Sequence, residues 1–175
     1  NSGAEAVETA IKITRKWAYE KKGIPEDQAQ IIVCDGNFHG RTTTIISFSS
    51  DQDARKNFGP FTHGFIKIPY NDKEALEEAL QLNNVVGVLI EPIQGEAGVN
   101  VPGEKFIPQV AKLCKEYEVL FMADANADFD FYYNANLFVA PVEGGTPRLL
   151  LEDVPYEMDD AVWSRDGAAI YVSAN

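Results

Sequence analysis

Two carboxylates, Glu91 and Asp124, each close an apolar run, Val85 to Ile90 and Val119 to Ala123. In an open parallel sheet, ligands collect outside the carboxyl ends of the strands, so both belong on one edge. A carboxylate there can share a proton with a cationic ring nitrogen and hold positive charge where an electron sink needs it. The plain alternative is that each only caps the turn after its strand. Ser2-Gly3-Ala4 opens a helix, where small residues let a phosphate approach free N–H groups and the helix dipole favours the anion. Phe38 and His39 follow a Gly-Asn turn. There Phe38 can stack on a planar ligand, or be core with His39 solvated, and the residues alone leave both readings open. Arg41 could grip a substrate carboxylate bidentately or pair with a surface acid. Glu91-Pro92-Ile93-Gln94-Gly95-Glu96-Ala97-Gly98 sets two glycines, a proline and two carboxylates directly after a buried strand, which describes a shaped loop at the ligand edge.

The elements that must position these residues are readable from periodicity. Val7, Ala10, Ile11, Thr14, Trp17 and Ala18 recur at helical spacing, predicting a helix over 4–22 that Gly23 and Pro25 stop. Ser2 and Glu5 have the spacing of a capping box. Strands are expected at 30–34, 65–68, 85–91 and 119–124, with helices at 73–82 and 106–117. The β-branched run from Val85 suits a parallel strand covered on both faces. Strand, helix, strand makes this a βαβ unit. Beyond Asp124 the pattern changes to short apolar runs at 136–142, 147–151, 161–164 and 168–172. Gly144-Gly145 and Arg165-Asp166-Gly167 separate them, and the spacing predicts antiparallel meander.

The composition is that of a soluble globular protein, with 45% hydrophobic and 24% charged residues. The formal net charge is −12, unevenly spread: residues 1–124 carry 13 Lys+Arg against 18 Asp+Glu, and residues 125–175 carry 2 against 9. That balance argues against nucleic-acid or anionic-membrane partners. No run is apolar and long enough to span a bilayer, and no signal-peptide pattern opens the chain. Cys34 and Cys114 are far apart in apolar or helical context, so no disulfide is expected. A reducing compartment follows: the cytoplasm or, in a eukaryote, the mitochondrial matrix. No metal site is expected. The abrupt opening at a helix start suggests an upstream part.

Read in order, Asn-Ser-Gly-Ala-Glu-Ala-Val-Glu-Thr-Ala, Gly-Asn-Phe-His-Gly-Arg-Thr, Phe-Gly-Pro-Phe, Ile-Pro-Tyr-Asn-Asp, Glu-Pro-Ile-Gln-Gly-Glu-Ala-Gly and Leu-Phe-Met-Ala-Asp resemble the class III pyridoxal-phosphate aminotransferases, most closely the ornithine aminotransferases. The resemblance runs through residues 1–124 and implies a partial large domain of the pyridoxal-phosphate transferase α/β fold. It implies pyridoxal 5'-phosphate as cofactor, with an amino acid and a 2-oxo acid as substrates. It implies that Gly3 and Ala4 bind the cofactor phosphate, that Phe38 stacks on the pyridine ring, and that Asp124 keeps the ring nitrogen protonated. Arg41, Glu91 and Glu96 are implied to line the substrate side.

The chain then departs from the family. Asp124 is followed by Ala125-Asn126-Ala127 in place of the family's Glu-Val/Ile-Gln-Thr-Gly, and no lysine follows Lys115. The resemblance implies a Schiff-base lysine roughly thirty residues beyond the aspartate, so no catalytic residue is assigned and the chain is expected to be inactive as it stands. The family's N-terminal segment and small domain are expected to be missing as well. The stretch from Asn136 to Arg148, with Trp163-Ser164-Arg165-Asp166-Gly167, resembles a β-propeller blade of TolB-like or prolyl-oligopeptidase type. One blade cannot close a propeller, which needs at least ~4. The expectation is a chimera, with an aminotransferase large-domain fragment at 1–124 and a blade-like β fragment at 125–175. Its uncovered apolar surface is expected to drive self-association, and the alternative is an interaction module whose β tail or exposed sheet edge binds a partner.

Overall fold

A computed structural model describes residues 2–124 and, beyond them, the backbone of residues 138–139, 148–149, 158–163 and 170–174. Four parallel strands form the sheet: β1 (Gln30–Cys34), β2 (Phe65–Ile68), β3 (Val85–Ile90) and β4 (Leu120–Ala123), in the order β2-β1-β3-β4. Ile32 pairs with Ile66 on one side and Val88 on the other, and Val88 pairs in turn with Phe121. Helix α1 (Gly3–Trp17) leads into β1. Two short helices, α2 (Thr43–Phe48) and α3 (Gln52–Arg55), join β1 to β2, while α4 (Lys73–Leu80) joins β2 to β3 and α5 (Phe106–Glu116) joins β3 to β4.

Alternation along the strands divides the core in two. Ile31 and Val33 pack with Val7, Ile11, Ile45 and Phe48 beneath α1 and α2. Ile32 and Cys34 pack with Leu76, Leu80, Val110 and Leu113 beneath α4 and α5. Every residue of β3 is buried, as expected of a central strand with helices on both faces. Gly87 lets α1 approach closely. A Cβ there would lie 2.9 Å from the Thr14 methyl and 3.0 Å from the Met122 methyl, and the Thr14 hydroxyl donates to Met122 Sδ at 3.1 Å.

The expected helix over 4–22 is α-helical to Trp17 and continues as one π-helical turn over Ala18–Lys22. Gly23 ends it at φ +76°, where a side chain would be strained. Lys22 Nζ donates to the carbonyls of Tyr117 at 3.2 Å and Glu118 at 2.6 Å, tying this end to the C-terminus of α5. Burial lowers its pKa while Glu118 raises it. The capping box at the start has its Glu5 arm, with the carboxylate accepting from the Ser2 N–H at 2.8 Å. Cys34 and Cys114 are both buried and free. Among the described residues no helix is long and apolar enough to cross a membrane, and no group of side chains could hold a metal ion.

Beyond Asp124, β5 (Phe138–Val139) pairs with β6 (Arg148–Leu149), and β7 (Met158–Trp163) with β8 (Ile170–Ala174). Both pairs are antiparallel, as the spacing predicts. The turns expected at Gly144-Gly145 and Arg165-Asp166-Gly167 lie outside the described residues.

Candidate functional site

The expected ligand edge is built by a segment that crosses the sheet almost strand by strand. The Asp35 N–H donates to the Ile68 carbonyl at 2.8 Å, at the end of β2. Asn37 is buried, and its Nδ2 donates to the carbonyls of Cys34 at 2.5 Å and Phe48 at 3.2 Å, locking the turn after β1. The Phe38 N–H reaches Glu91 Oε2 at 3.1 Å, at the end of β3. His39 Nδ1 reaches Asp124 Oδ2 at 2.7 Å, at the end of β4. Asp124 is itself anchored, its N–H donating to the Ile90 carbonyl at 2.9 Å.

His39 is core, not solvated: its side chain is 0% exposed, against 25% for Asp124. A carboxylate can only accept, so the 2.7 Å contact assigns the Nδ1 proton to the histidine. Its Nε2 is buried and has no partner among the described residues. Phe38 is half-buried, with the Arg41 guanidinium carbon 5.8 Å from its ring centroid. Glu91 is buried. Burial pushes its carboxyl up to about 7, the neighbouring His39 and the Phe38 N–H work against that, and Asp124 and Glu96 add to it. Tyr70 Oη donates to the carbonyls of Glu91 at 2.9 Å and Pro92 at 3.0 Å, fixing the strand end from the β2 side. Burial chiefly, with Cys34 and Glu91 nearby, raises the Tyr70 hydroxyl to about 12, so it remains a donor.

The helix start joins the same edge. Gly3 and Ala4 are the first residues of α1, and their N–H groups have no intrahelical acceptor. Gly40, at φ +113°, packs so closely that a Cβ there would sit 2.6 Å from Ala4 Cβ. The Thr42 hydroxyl donates to the Glu8 carboxylate, a second tie between α1 and the β1–α2 segment. Arg41 and Glu96 are exposed. Gln94 is 1% exposed and bridges two loops: its Nε2 donates to the Asp35 carbonyl at 2.8 Å, and its Oε1 accepts from Asn100 at 3.3 Å.

Of the residues singled out in the sequence, Phe38, Glu91 and Asp124 are therefore joined through one segment, Ala4, next to Gly3 at the start of α1, abuts it at Gly40, and Arg41 lies over Phe38. Sequence reasoning missed Tyr70 and Gln94 and left His39 open. A histidine directly after a candidate stacking aromatic, on the edge that carries Asp124, was the available signal. Two cavities lie elsewhere among the described residues. One of about 420 Å³ sits between the starts of α4 and α5, and one of about 530 Å³ lies along α1 between Lys12 and Glu26. Neither contains a member of this cluster, and geometry at the strand ends is the better guide to chemistry than cavity size.

The site suits a phosphorylated pyridine in part. Asp124 offers a part-exposed carboxylate held by a buried histidine, which fits a cationic ring nitrogen, and the α1 start fits a phosphate. No lysine follows Lys115 in the sequence.

Known proteins resemble this chain over its first 125 residues or more. The aminotransferase class-III family matches residues 1–125. The ornithine aminotransferase of Plasmodium falciparum (isolate 3D7) is 57% identical over 124 residues, covering 71% of this chain and 30% of that protein. That of Brevibacillus brevis is 56% identical over 151 residues, covering 86% of this chain and 37% of the relative. A structure of the Toxoplasma gondii ornithine aminotransferase, with partial occupancy of PLP at its active site, matches with a TM-score of 0.70 at 52% identity. It covers 71% of this chain and 29% of that one. The chain thus spans about a third of the length of the curated relatives it matches.

Proposed function

The chain belongs to the class-III aminotransferase family, and on that premise we propose that residues 1–124 are the cofactor-holding part of an ornithine-type aminotransferase large domain. The whole protein's reaction would move an amino group from ornithine to a 2-oxo acid. Pyridoxal 5'-phosphate, when bound, supplies the electron sink for that transfer. Asp124 keeps the ring nitrogen protonated, with His39 orienting its carboxylate. Phe38 covers one face of the ring, and the N–H groups of Gly3 and Ala4 hold the phosphate. Arg41 and Glu96, exposed beside this edge, take the substrate. The observation that carries the reading is the Asp124 carboxylate, fixed by His39 at 2.7 Å at the end of β4.

Because no lysine follows Lys115, the chain as it stands binds without turning over. Titration with pyridoxal 5'-phosphate tests this. A charge-assisted hydrogen bond is worth roughly 1.5–3 kcal/mol, so Asp124→Ala should weaken binding about ten- to a hundredfold. Unchanged affinity, or no binding by the wild type, overturns the reading. Borohydride reduction and peptide mapping test the missing attachment, and stoichiometric labelling of a single lysine would refute it.

We further propose that 125–175 is a separate blade-like β unit with a peptidase-type propeller origin, that the chain acts in the cytoplasm, and that it self-associates. The antiparallel pairs β5–β6 and β7–β8 support the first. Exposed Phe58, Val99 and Val101, with β4 at the end of its sheet, support the last. The rival is one cooperative body, since β7 lies against α1. Chymotrypsin decides between them, because Phe129, Phe131, Tyr132 and Tyr133 lie just past Asp124. Early cuts there, with a longer-lived fragment ending near Asp124, fit two units. Uniform resistance with one sharp unfolding transition fits one.

A further inference from the structure

We propose that Glu91 is a positioning residue: its carboxylate fixes the backbone of Phe38, and with it the face that the ring presents to a planar ligand, without itself touching substrate. The stacking role of Phe38 rests on the reading above; the hold of Glu91 on Phe38 rests on geometry alone.

Glu91 differs from the loop it opens. Its residue is 7% exposed, while each residue from Gly95 to Val101 is exposed. A side chain meant for substrate would face the open side of the edge, yet this carboxylate turns under the β1–α2 segment and accepts the Phe38 N–H at 3.1 Å. Its base is rigid. The preceding Ile90 pairs with Ala123 in the sheet, its carbonyl accepts from Asp124 at 2.9 Å, and Tyr70 holds the Glu91 carbonyl at 2.9 Å. The residues flanking Phe38 are anchored too, Asn37 to the Cys34 and Phe48 carbonyls and His39 to Asp124. Glu91 supplies the middle of three consecutive anchors. Without it the Phe38 backbone, alone among the three, has no tie to the strand ends.

The hold depends on protons. The groups facing Glu91 are His39 from the β1–α2 segment, Asp124 from β4, Glu96 from its own loop, and Cys34 and Tyr70 from the ends of β1 and β2. Burial sets its carboxyl to titrate near pH 7. A carboxylate is roughly twice as strong an acceptor as a neutral carboxyl, so Phe38 is held more firmly above neutrality than below it.

Amide NMR of the full chain, without cofactor, tests this. The Phe38 N–H shift should move with a midpoint near pH 7 in the wild type. Glu91→Gln keeps an acceptor oxygen and loses the charge, so it should flatten that transition while retaining most of the protection of the Phe38 amide from hydrogen exchange. Glu91→Ala removes the acceptor and should accelerate exchange at Phe38 about tenfold, as expected for losing a hydrogen bond worth about 1.4 kcal/mol. A flat wild-type profile overturns the proposal. So does a transition that persists in Glu91→Gln, which would assign it to His39 or Asp124, or unchanged protection in Glu91→Ala. If Glu91→Ala does not fold, the other two measurements still decide. Because none of these readouts uses pyridoxal 5'-phosphate, a failed cofactor titration would reject the stacking role of Phe38 and leave the hold of Glu91 on its backbone intact.

Discussion

From Asp35 to His39 the chain is tied down by hydrogen bonds to the ends of β2, β1, β3 and β4, and both Asn37 and His39 are buried. From Gly95 to Val101, on the same edge, every residue is exposed. That second loop is closed at its base, where Gln94 and Asn100 exchange backbone hydrogen bonds at 3.1 and 2.9 Å. Above the base it turns through Gly98 at φ +101° and Val99 at φ +60°. One loop is set by ties to the strand ends, and the other is exposed along its length. The difference divides the work. Under the proposed function, the held loop suits a rigid, planar, charged group and the exposed loop suits a variable substrate.

The largest test sets one glycine of each loop against the other. Both Gly40 and Gly98 have positive φ, so alanine strains the backbone at either. At Gly40 the new methyl also lands 2.6 Å from Ala4 Cβ, while at Gly98 nothing lies within 4 Å. Gly40→Ala should cost about 3 kcal/mol or more and Gly98→Ala about 1 kcal/mol, read from urea unfolding. Equal costs would erase the distinction between the loops.

The next test is pH. Glu91 has a folded-state pKa of about 7, above the ordinary 4.5. Between those values the folded chain keeps a proton that the unfolded chain has released, so stability falls as pH rises across the window and levels off above it. The full effect is about 3 kcal/mol. Glu91→Gln should remove that slope, so the variant gains on the wild type from pH 5 to pH 8 in denaturant midpoints. Parallel curves would mean that the carboxylate at the pinned loop is better solvated than its burial implies.

The smallest effect belongs to the exposed loop. Val99 is β-branched, 68% exposed and left-handed. Val99→Gly should relieve strain and stabilise by up to about 1 kcal/mol, net of the added freedom of the unfolded chain. Destabilisation would show that the Val99 side chain packs on something the loop requires.

Much of this was legible in the sequence because it is local. Val85 to Ile90 announced a strand covered on both faces, Gly23 announced a helix end, and two carboxylates closing successive strands announced a shared edge. The pairing of His39 with Asp124 was not legible, because 85 residues separate them and only the strand order brings them together. The inward turn of Glu91 was hidden for the same reason: its partner is a backbone N–H, which leaves no trace in side-chain identity. The π-helical turn at Ala18–Lys22 also escaped, since helical spacing alone does not distinguish it from α-helix.

The crossing of the sheet edge by Asp35 to His39 makes this segment a ruler. Its marks are strands, and Phe38 and His39 fall on neighbouring ones, β3 and β4. Inserting a single residue between Cys34 and Phe38 would leave composition almost unchanged, yet it would slide the aromatic off its mark and offer the wrong side chain to Asp124. Chemical conservatism at these positions therefore counts for less than spacing. An insertion here changes which residue meets each strand end, whereas a substitution leaves that register in place.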